Sequence, residues 1–318
     1  MAPRGILFSD VDGSIVHYPA TTDKLGRLEG SSADGRGHTF VTNEGDSHTV
    51  LKLPPSKTGM QGVISLRTLE LFAEVRRMGF RVVVISGART STVLQRLPFL
   101  PFADAVVTEN GGRIFMGDPH QLTTAPLVED MGWREVHREG AGPGSQEGVS
   151  PEERVGPLWE VYRAFKADAW KPDADSYTTS FRVKVTPGRP AHTAAELASR
   201  LEELPETLTH AFNLGMADVY PKSSGKEKAA AYIMSKWGVD NEDCALLCDD
   251  DNDLALARML GKAYLPGVSA ETMKKATEGD PDHFFVAPNH GTVGTEQALL
   301  KFIEHVSAGS CHMPCVLQ

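Results

Sequence analysis

Long apolar runs are missing from this sequence of 318 residues: no stretch approaches the roughly 18 apolar residues that a membrane-spanning helix needs. Cysteine is scarce. Of the four (Cys244, Cys248, Cys311 and Cys315), none pairs with histidines at zinc-finger spacing, and reduced thiols in a cytoplasmic protein are the simplest reading. Positive charge is also short, with 32 Lys and Arg against 42 Asp and Glu and a formal charge of -10. No basic stripe is present, which argues against a nucleic-acid surface. A small anionic ligand is not excluded, since a few local cations and a metal can hold one. There is no internal repeat and no low-complexity tract. The first strand begins by about Gly5, which leaves no room for a targeting peptide. What remains is an ordinary globular composition, 41% hydrophobic and 23% charged, at a length that favours two domains.

The spacing predicts alternating β and α elements in the first and last thirds. Arg81-Val82-Val83-Val84-Ile85 is a continuous apolar run, as in a strand buried on both faces of a parallel sheet. A helix from Ser65 precedes it and ends before Gly79; a short helix through Leu97 and a strand over 103–107 follow. The pattern returns with a helix over 226–237, a strand over 244–248 and a helix over 253–260. This alternation predicts a doubly wound α/β core with a parallel sheet. Between the two parts, a loop over 140–148, a helix over 152–167, a strand-like run over 178–185 and a helix over 191–204 read as an inserted α+β domain. The expected boundaries are 1–117 for the first part of the core, 118–217 for the insert and 218–318 for the second part. Residues 18–60 form a smaller insertion, with a Gly-rich loop over 26–37 and a hairpin around Asn43-Glu44-Gly45-Asp46, which reads as an ordered flap over a site, with a disordered surface insertion as the alternative.

Four features fall just past strand ends, where an open α/β sheet places its ligand. Asp10 and Asp12 end the run Ile6-Leu7-Phe8-Ser9 and are spaced to share one side of an extended chain. Ser86 follows the valine-rich strand, with Gly87 permitting close backbone approach. Lys226 opens a helix after Pro221-Lys222-Ser223-Ser224-Gly225. Asp249-Asp250-Asp251-Asn252-Asp253 follows Ala245-Leu246-Leu247-Cys248. Each alone has a plainer reading: an acidic turn, a helix N-cap, a solvated lysine, an acidic cap on a helix dipole. The four in order, each at a strand end, point to phosphate-ester chemistry.

With those residues in place, the chain resembles the haloacid dehalogenase superfamily of aspartyl-phosphate hydrolases. Asp10-Val11-Asp12-Gly13-Ser14 is similar to its first motif, Ser86 to its second, Lys226 to its third and Asp249 with Asp253 to its fourth. The place of the insert, Glu109-Asn110-Gly111-Gly112 and Pro221-x-x-x-Gly225-Lys226 resemble the subgroup with a large α/β cap. That subgroup includes sucrose-phosphate phosphatase and other sugar phosphatases, mannosyl-phosphoglycerate phosphatase and phosphomannomutase. The resemblance implies Asp10 as nucleophile and Asp12 as acid and base, with Ser86 and Lys226 on the phosphoryl oxygens. It implies magnesium on Asp10, the backbone carbonyl of Asp12, Asp249 and Asp253, and Asn252 orienting neighbouring carboxylates. The aspartate run leaves Asp250 as an alternative to Asp249, and Cys248 stands where the family usually has glycine. Substrate contacts are expected from Gly87, Arg89, Asn252, Arg182 and Lys184, with Asn110 and Asn213 weaker candidates. The two cations at 182 and 184 alternate with apolar residues and so share one strand face.

The implied activity is a magnesium-dependent phosphatase of a small phosphorylated metabolite, in particular a sugar phosphate or phosphorylated sugar acid. The alternatives are a phosphosugar mutase and a lipid-anchored binding protein on the same fold. Cys315-Val316-Leu317-Gln318 matches the prenylation pattern, with Gln favouring farnesyl, and Cys311 is a candidate for a second acyl group. No polybasic stretch accompanies it, and one chain gives only marginal membrane binding.

Overall fold

The structure, a computed structural model, describes residues 3–56, 59–117, 127–185, 192–213, 216–268 and 270–310. The chain forms two compact units: Met1–Val84 with Gln95–Ala103 and Met234–Gln318, and Ile85–Leu94 with Asp104–Ile233. The expected insert, 118–217, falls inside the second.

In the first unit, five parallel strands lie side by side in the order Phe284–Val286, Lys262–Leu265, Cys244–Leu247, Gly5–Ser9, Phe80–Ile85. Their apolar runs are buried almost completely, from Ile6-Leu7-Phe8 to Val82-Val83-Val84 and Leu246-Leu247. From Gly5–Ser9 the chain goes first to one side, to Phe80–Ile85, and later returns on the other side at Cys244–Leu247. The strand order therefore reverses between Gly5–Ser9 and Cys244–Leu247, and side chains just past their carboxyl ends face the crevice left there. The helix Leu66–Arg77 starts where Ser65 Oγ accepts from Thr68 N, a side-chain cap. The helix Gly291–Ser310 packs on the sheet through Phe302, whose ring lies edge-on to Phe80 and Tyr264 at 5.2 and 5.5 Å between centroids.

Residues 18–65 of this unit add an antiparallel sheet in the order Gly26–Glu29, Gly37–Thr42, Ser47–Lys52, Val63–Ser65. The hairpin at Asn43–Asp46 is present, closed by Asp46 N donating to Thr42 Oγ1. The expected loop over 26–37 is corrected in its first part: Gly26–Glu29 is a strand, held by pairing to Thr39–Thr42 rather than by its own apolar pattern.

The second unit is α+β. The sheet Phe181–Lys184, Met216–Pro221, Leu208–Asn213 is antiparallel in that order. Phe181, Val183, Ala217 and Val219 turn one face to a core with Trp159, Phe165, Trp170, Leu197 and Leu201. The last side chains come from the helices Pro157–Ala167 and Ala194–Glu202 and from the segment between them. The helix expected from 152 starts only at Pro157. Gly156, at φ 116°, cannot be a helical residue, and proline restricts its predecessor further. The expected loop over 140–148 includes the end of a short helix, Arg138–Ala141, and a 3₁₀ turn, Gly144–Gln146. Ala105–Thr108 and Arg113–Met116 pair antiparallel around Glu109-Asn110-Gly111-Gly112.

Candidate active site

The strand register of the first unit decides which carboxylates meet. Gly5–Ser9 and Cys244–Leu247 are parallel with Ser9 opposite Leu247, and Asp10 N donates to Leu247 O at 2.9 Å. Asp10 and Asp249 thus leave neighbouring strands almost together. The 3₁₀ turn Asp251–Asp253 brings the third acid back, so that one carboxylate oxygen each from Asp10, Asp249 and Asp253 lies within 4.8 Å of the others. Asp250 is not in this cluster; its carboxylate accepts from Asp251 N.

The loop after Asp10 closes tightly on the cluster. Gly13 N donates to Val16 O, and Val16 N to Val11 O. Gly13 has φ 92°, and a Cβ there would sit 2.1 Å from Asp249 Oδ2, so only glycine brings the backbone this close. Ser14 Oγ donates to Asp249 Oδ1 at 2.8 Å. Burial and the charges of Asp10 and Asp253 nevertheless hold the Asp249 carboxyl well above the usual carboxylate range. Three hard oxygen donors whose like charges meet at Asp249 suit a divalent cation such as magnesium. A cavity of about 110 Å³, lined by Gly13, Tyr18, Asp249, Gly267 and His290 among others, touches the cluster at Asp249.

Asp12 is held apart from the cluster by two residues that sequence reasoning missed. Tyr18 OH donates to Asp12 Oδ1, and Arg96 Nη1 donates to the same oxygen at 3.0 Å. Arg96 closes the helix Thr90–Arg96, where an arginine reads as a partner for the helix dipole; no local signal marks it. Behind the loop, Thr295 Oγ1 donates to Ser14 O at 2.6 Å and accepts from His17 Nε2 at 2.8 Å. His17 is fully enclosed, and burial pulls its imidazole down to about 4, so it is neutral at ordinary pH.

Of the other expected site residues, all but Asn252 belong to the second unit. Ser86 is buried; its Oγ accepts from Ala88 N at 3.1 Å, which leaves its own proton to donate. Gly87 follows it. Lys226 is only 3% exposed at the start of the helix Lys226–Trp237. Arg89 is paired with Asp173 at 2.6 Å and donates to Asp175 O at 2.8 Å. Arg182 makes two bonds to the buried Asp218, at 2.5 and 2.7 Å, and Asn110 Nδ2 donates to the same carboxylate at 3.1 Å. These partners neutralise both arginines, and Lys184 is the exposed cation of the pair on that strand. Asn252 sits in the turn Asp251–Asp253 of the first unit. The side chain of Asn213 and the residues Cys311 and Cys315–Gln318 lie outside the described residues.

The two cap-subgroup motifs touch each other. Ser224 Oγ donates to Asn110 O at 2.9 Å, and a Cβ on Gly111 would fall 2.2 Å from Gly225 O. Glu109 is fully buried and accepts from Thr178 N and Thr179 N, both at 2.8 Å.

The profile of the sucrose-6F-phosphate phosphohydrolase family matches residues 159–302, which include Lys226, Asp249 and Asp253. The sucrose-phosphatase of Synechocystis sp. PCC6803, solved with sucrose and phosphate, is similar at TM-score 0.55 and 18% identity over 76% of this chain and 91% of its own. The haloacid dehalogenase subclass IIB sugar phosphatase BT4131 is similar at TM-score 0.56 and 14% identity, over 95% and 99%. The haloacid dehalogenase-like hydrolase yhjK of Bacillus subtilis gives 0.54 and 14%, over 95% and 93%. Among curated proteins none matches the sequence significantly. These likenesses show a shared fold, and the matched profile covers residues 159–302 of this chain. Among the described residues no helix is long and apolar enough to cross a membrane.

Proposed function

We propose that this chain is a magnesium-dependent phosphatase of a small sugar phosphate, working through a phosphoaspartate on Asp10. The observation that carries the reading is the meeting of Asp10, Asp249 and Asp253 where the strand order reverses, with Asp12 held separately two residues beyond the nucleophile. Asp10, Asp249 and Asp253 would hold the metal, with the carbonyl of Asp12. Magnesium bound there supplies charge to offset the repulsion between carboxylate and phosphate. Asp10 attacks phosphorus in line with the leaving oxygen. Asp12 gives that oxygen a proton and later takes one from the water that cleaves the phosphoaspartate. Ser86 and Lys226 are assigned the phosphoryl oxygens on the order of the motifs, Ser86 through its free hydroxyl proton. A sugar phosphate is favoured by the matched sucrose-6F-phosphate phosphohydrolase profile, which runs through the α+β unit as well as the acidic turn.

The test is phosphate release from a panel of sugar phosphates, with magnesium and with EDTA. Turnover that needs magnesium, and its loss in Asp10→Asn, is the expected result. A wild type that releases no phosphate from any of them, or an Asp10→Asn variant that keeps its rate, would sink the proposal.

A further inference from the structure

We infer that Tyr18 and Arg96 are the positioning residues that set which oxygen of Asp12 carries the catalytic proton. The inference rests on the phosphatase reading above. Both bonds to Asp12 fall on Oδ1: one from the Tyr18 hydroxyl, one from Arg96 Nη1. Arg96 Nη1 also donates to Tyr18 OH at 2.8 Å, and its guanidinium lies 5.8 Å from the centre of the Tyr18 ring. The three groups therefore form a closed triangle rather than two separate contacts. Oδ2 takes neither bond, and it belongs to a side chain that is 22% exposed while that of Arg96 is 3% exposed. One oxygen is anchored, and the other takes neither of these two bonds.

The state of Arg96 speaks against a purely stabilising role. A buried guanidinium serving the fold uses its fork of donors, usually with a bidentate acceptor. Here Nε and Nη2 are enclosed with no acceptor among the described residues, and the hydrogen bonds go to Asp12 and Tyr18 alone. Such under-use of a buried arginine is unfavourable for stability. It is explained if the geometry at Asp12 is what the residue provides. In this role Oδ2 gives its proton to the leaving oxygen as the phosphorus–oxygen bond breaks and the electron pair goes to that oxygen. Oδ2 then takes a proton from the attacking water, and the bond between Asp10 and phosphorus breaks. Oδ1 stays in the grip of Tyr18 and Arg96 throughout.

Proton donation matters most for poor leaving groups, so leaving-group dependence separates positioning from general damage. Tyr18→Phe, Arg96→Met and the conservative Arg96→Lys would be assayed with magnesium on the best sugar phosphate found and on p-nitrophenyl phosphate. Tyr18→Phe keeps the ring and its packing, so it tests the idea even if Arg96→Met fails to fold. The expected result is a fall in kcat of about 10- to 100-fold on the sugar phosphate, the range for groups that orient a reacting one. The loss on p-nitrophenyl phosphate should be several-fold smaller, with KM little changed and part of the rate restored in Arg96→Lys. Asp12→Asn should show the same split, and adding Arg96→Met to it should cost nothing more. Equal losses on both substrates in folded Tyr18→Phe, or additive losses in the double variant, would overturn the inference while leaving the phosphatase standing. A wild type inert to both substrates would overturn the phosphatase reading, and this inference with it.

Discussion

Replacing Asp249 by Asn should make the metal-free protein more stable and the magnesium-loaded protein relatively less so. Two carboxylates at the cluster's 4.8 Å limit repel by about 3 kcal/mol at an effective dielectric of about 20. Asp249 faces two, Asp10 and Asp253, which would sum to about 7 kcal/mol if all three stayed charged. The cost has a ceiling, because Asp249 can instead take up a proton. From an ordinary value of 3.8, protonation at about pH 7.5 costs about 5 kcal/mol. Burial, Asp10 and Asp253 raise this carboxyl above its unfolded value, so its contribution is harmless below about pH 4 and becomes destabilising as pH rises. Asn removes the charge and keeps an oxygen for Ser14 Oγ. In EDTA at about pH 7.5, the variant should therefore gain about 3–5 kcal/mol in unfolding free energy, and near pH 4 almost nothing. Wild type should be strongly stabilised by saturating magnesium, and the variant weakly. Urea unfolding followed by circular dichroism, with EDTA or magnesium at both pH values, measures all four differences. A variant less stable than wild type in EDTA at neutral pH, or one that gains as much from magnesium, would refute the reasoning.

Gly13→Ala should abolish most of the magnesium stabilisation and phosphate release, because its Cβ would lie 2.1 Å from Asp249 Oδ2; magnesium titration by calorimetry checks it. Burial keeps His17 neutral in the fold with a value near 4 against 6.5 unfolded, so its titration costs nothing above pH 6.5 and destabilises the fold by about 3 kcal/mol as pH falls to 4. His17→Gln should accordingly flatten the acid limb of the stability profile in that window. Asp218→Asn should destabilise the second unit by about 3–5 kcal/mol, since it leaves the Arg182 guanidinium without its buried counter-charge; limited proteolysis of that unit reports the loss.

Some elements of this fold could be read locally because their patterns are local. Val82-Val83-Val84-Ile85 can hide its side chains only in a sheet covered on both faces, and the helix Lys226–Trp237 falls where its residues place it. The strand Gly26–Glu29 was not legible, since it is exposed and exists through its pairing with Gly37–Thr42. The arginines at 89 and 182 read as candidates for an anion, but their counter-charges come from Asp173 and Asp218, far along the chain.

The same division runs through the site. Asp10, Asp12 and the Asp249–Asp253 run announce themselves, because carboxylates past apolar strands have few other uses in that order. By itself the sequence thus marked Asp10, Asp12 and the acidic turn as candidates for phosphate-ester chemistry. Only the tertiary structure decided that Asp249 rather than Asp250 joins Asp10 and Asp253, through the register of Ser9 opposite Leu247. It alone decided that Tyr18 and Arg96 share one oxygen of Asp12. Arg96 is 84 residues from Asp12, and Thr295 is 281 from Ser14. No periodicity spans such distances; they are closed by strand order and packing.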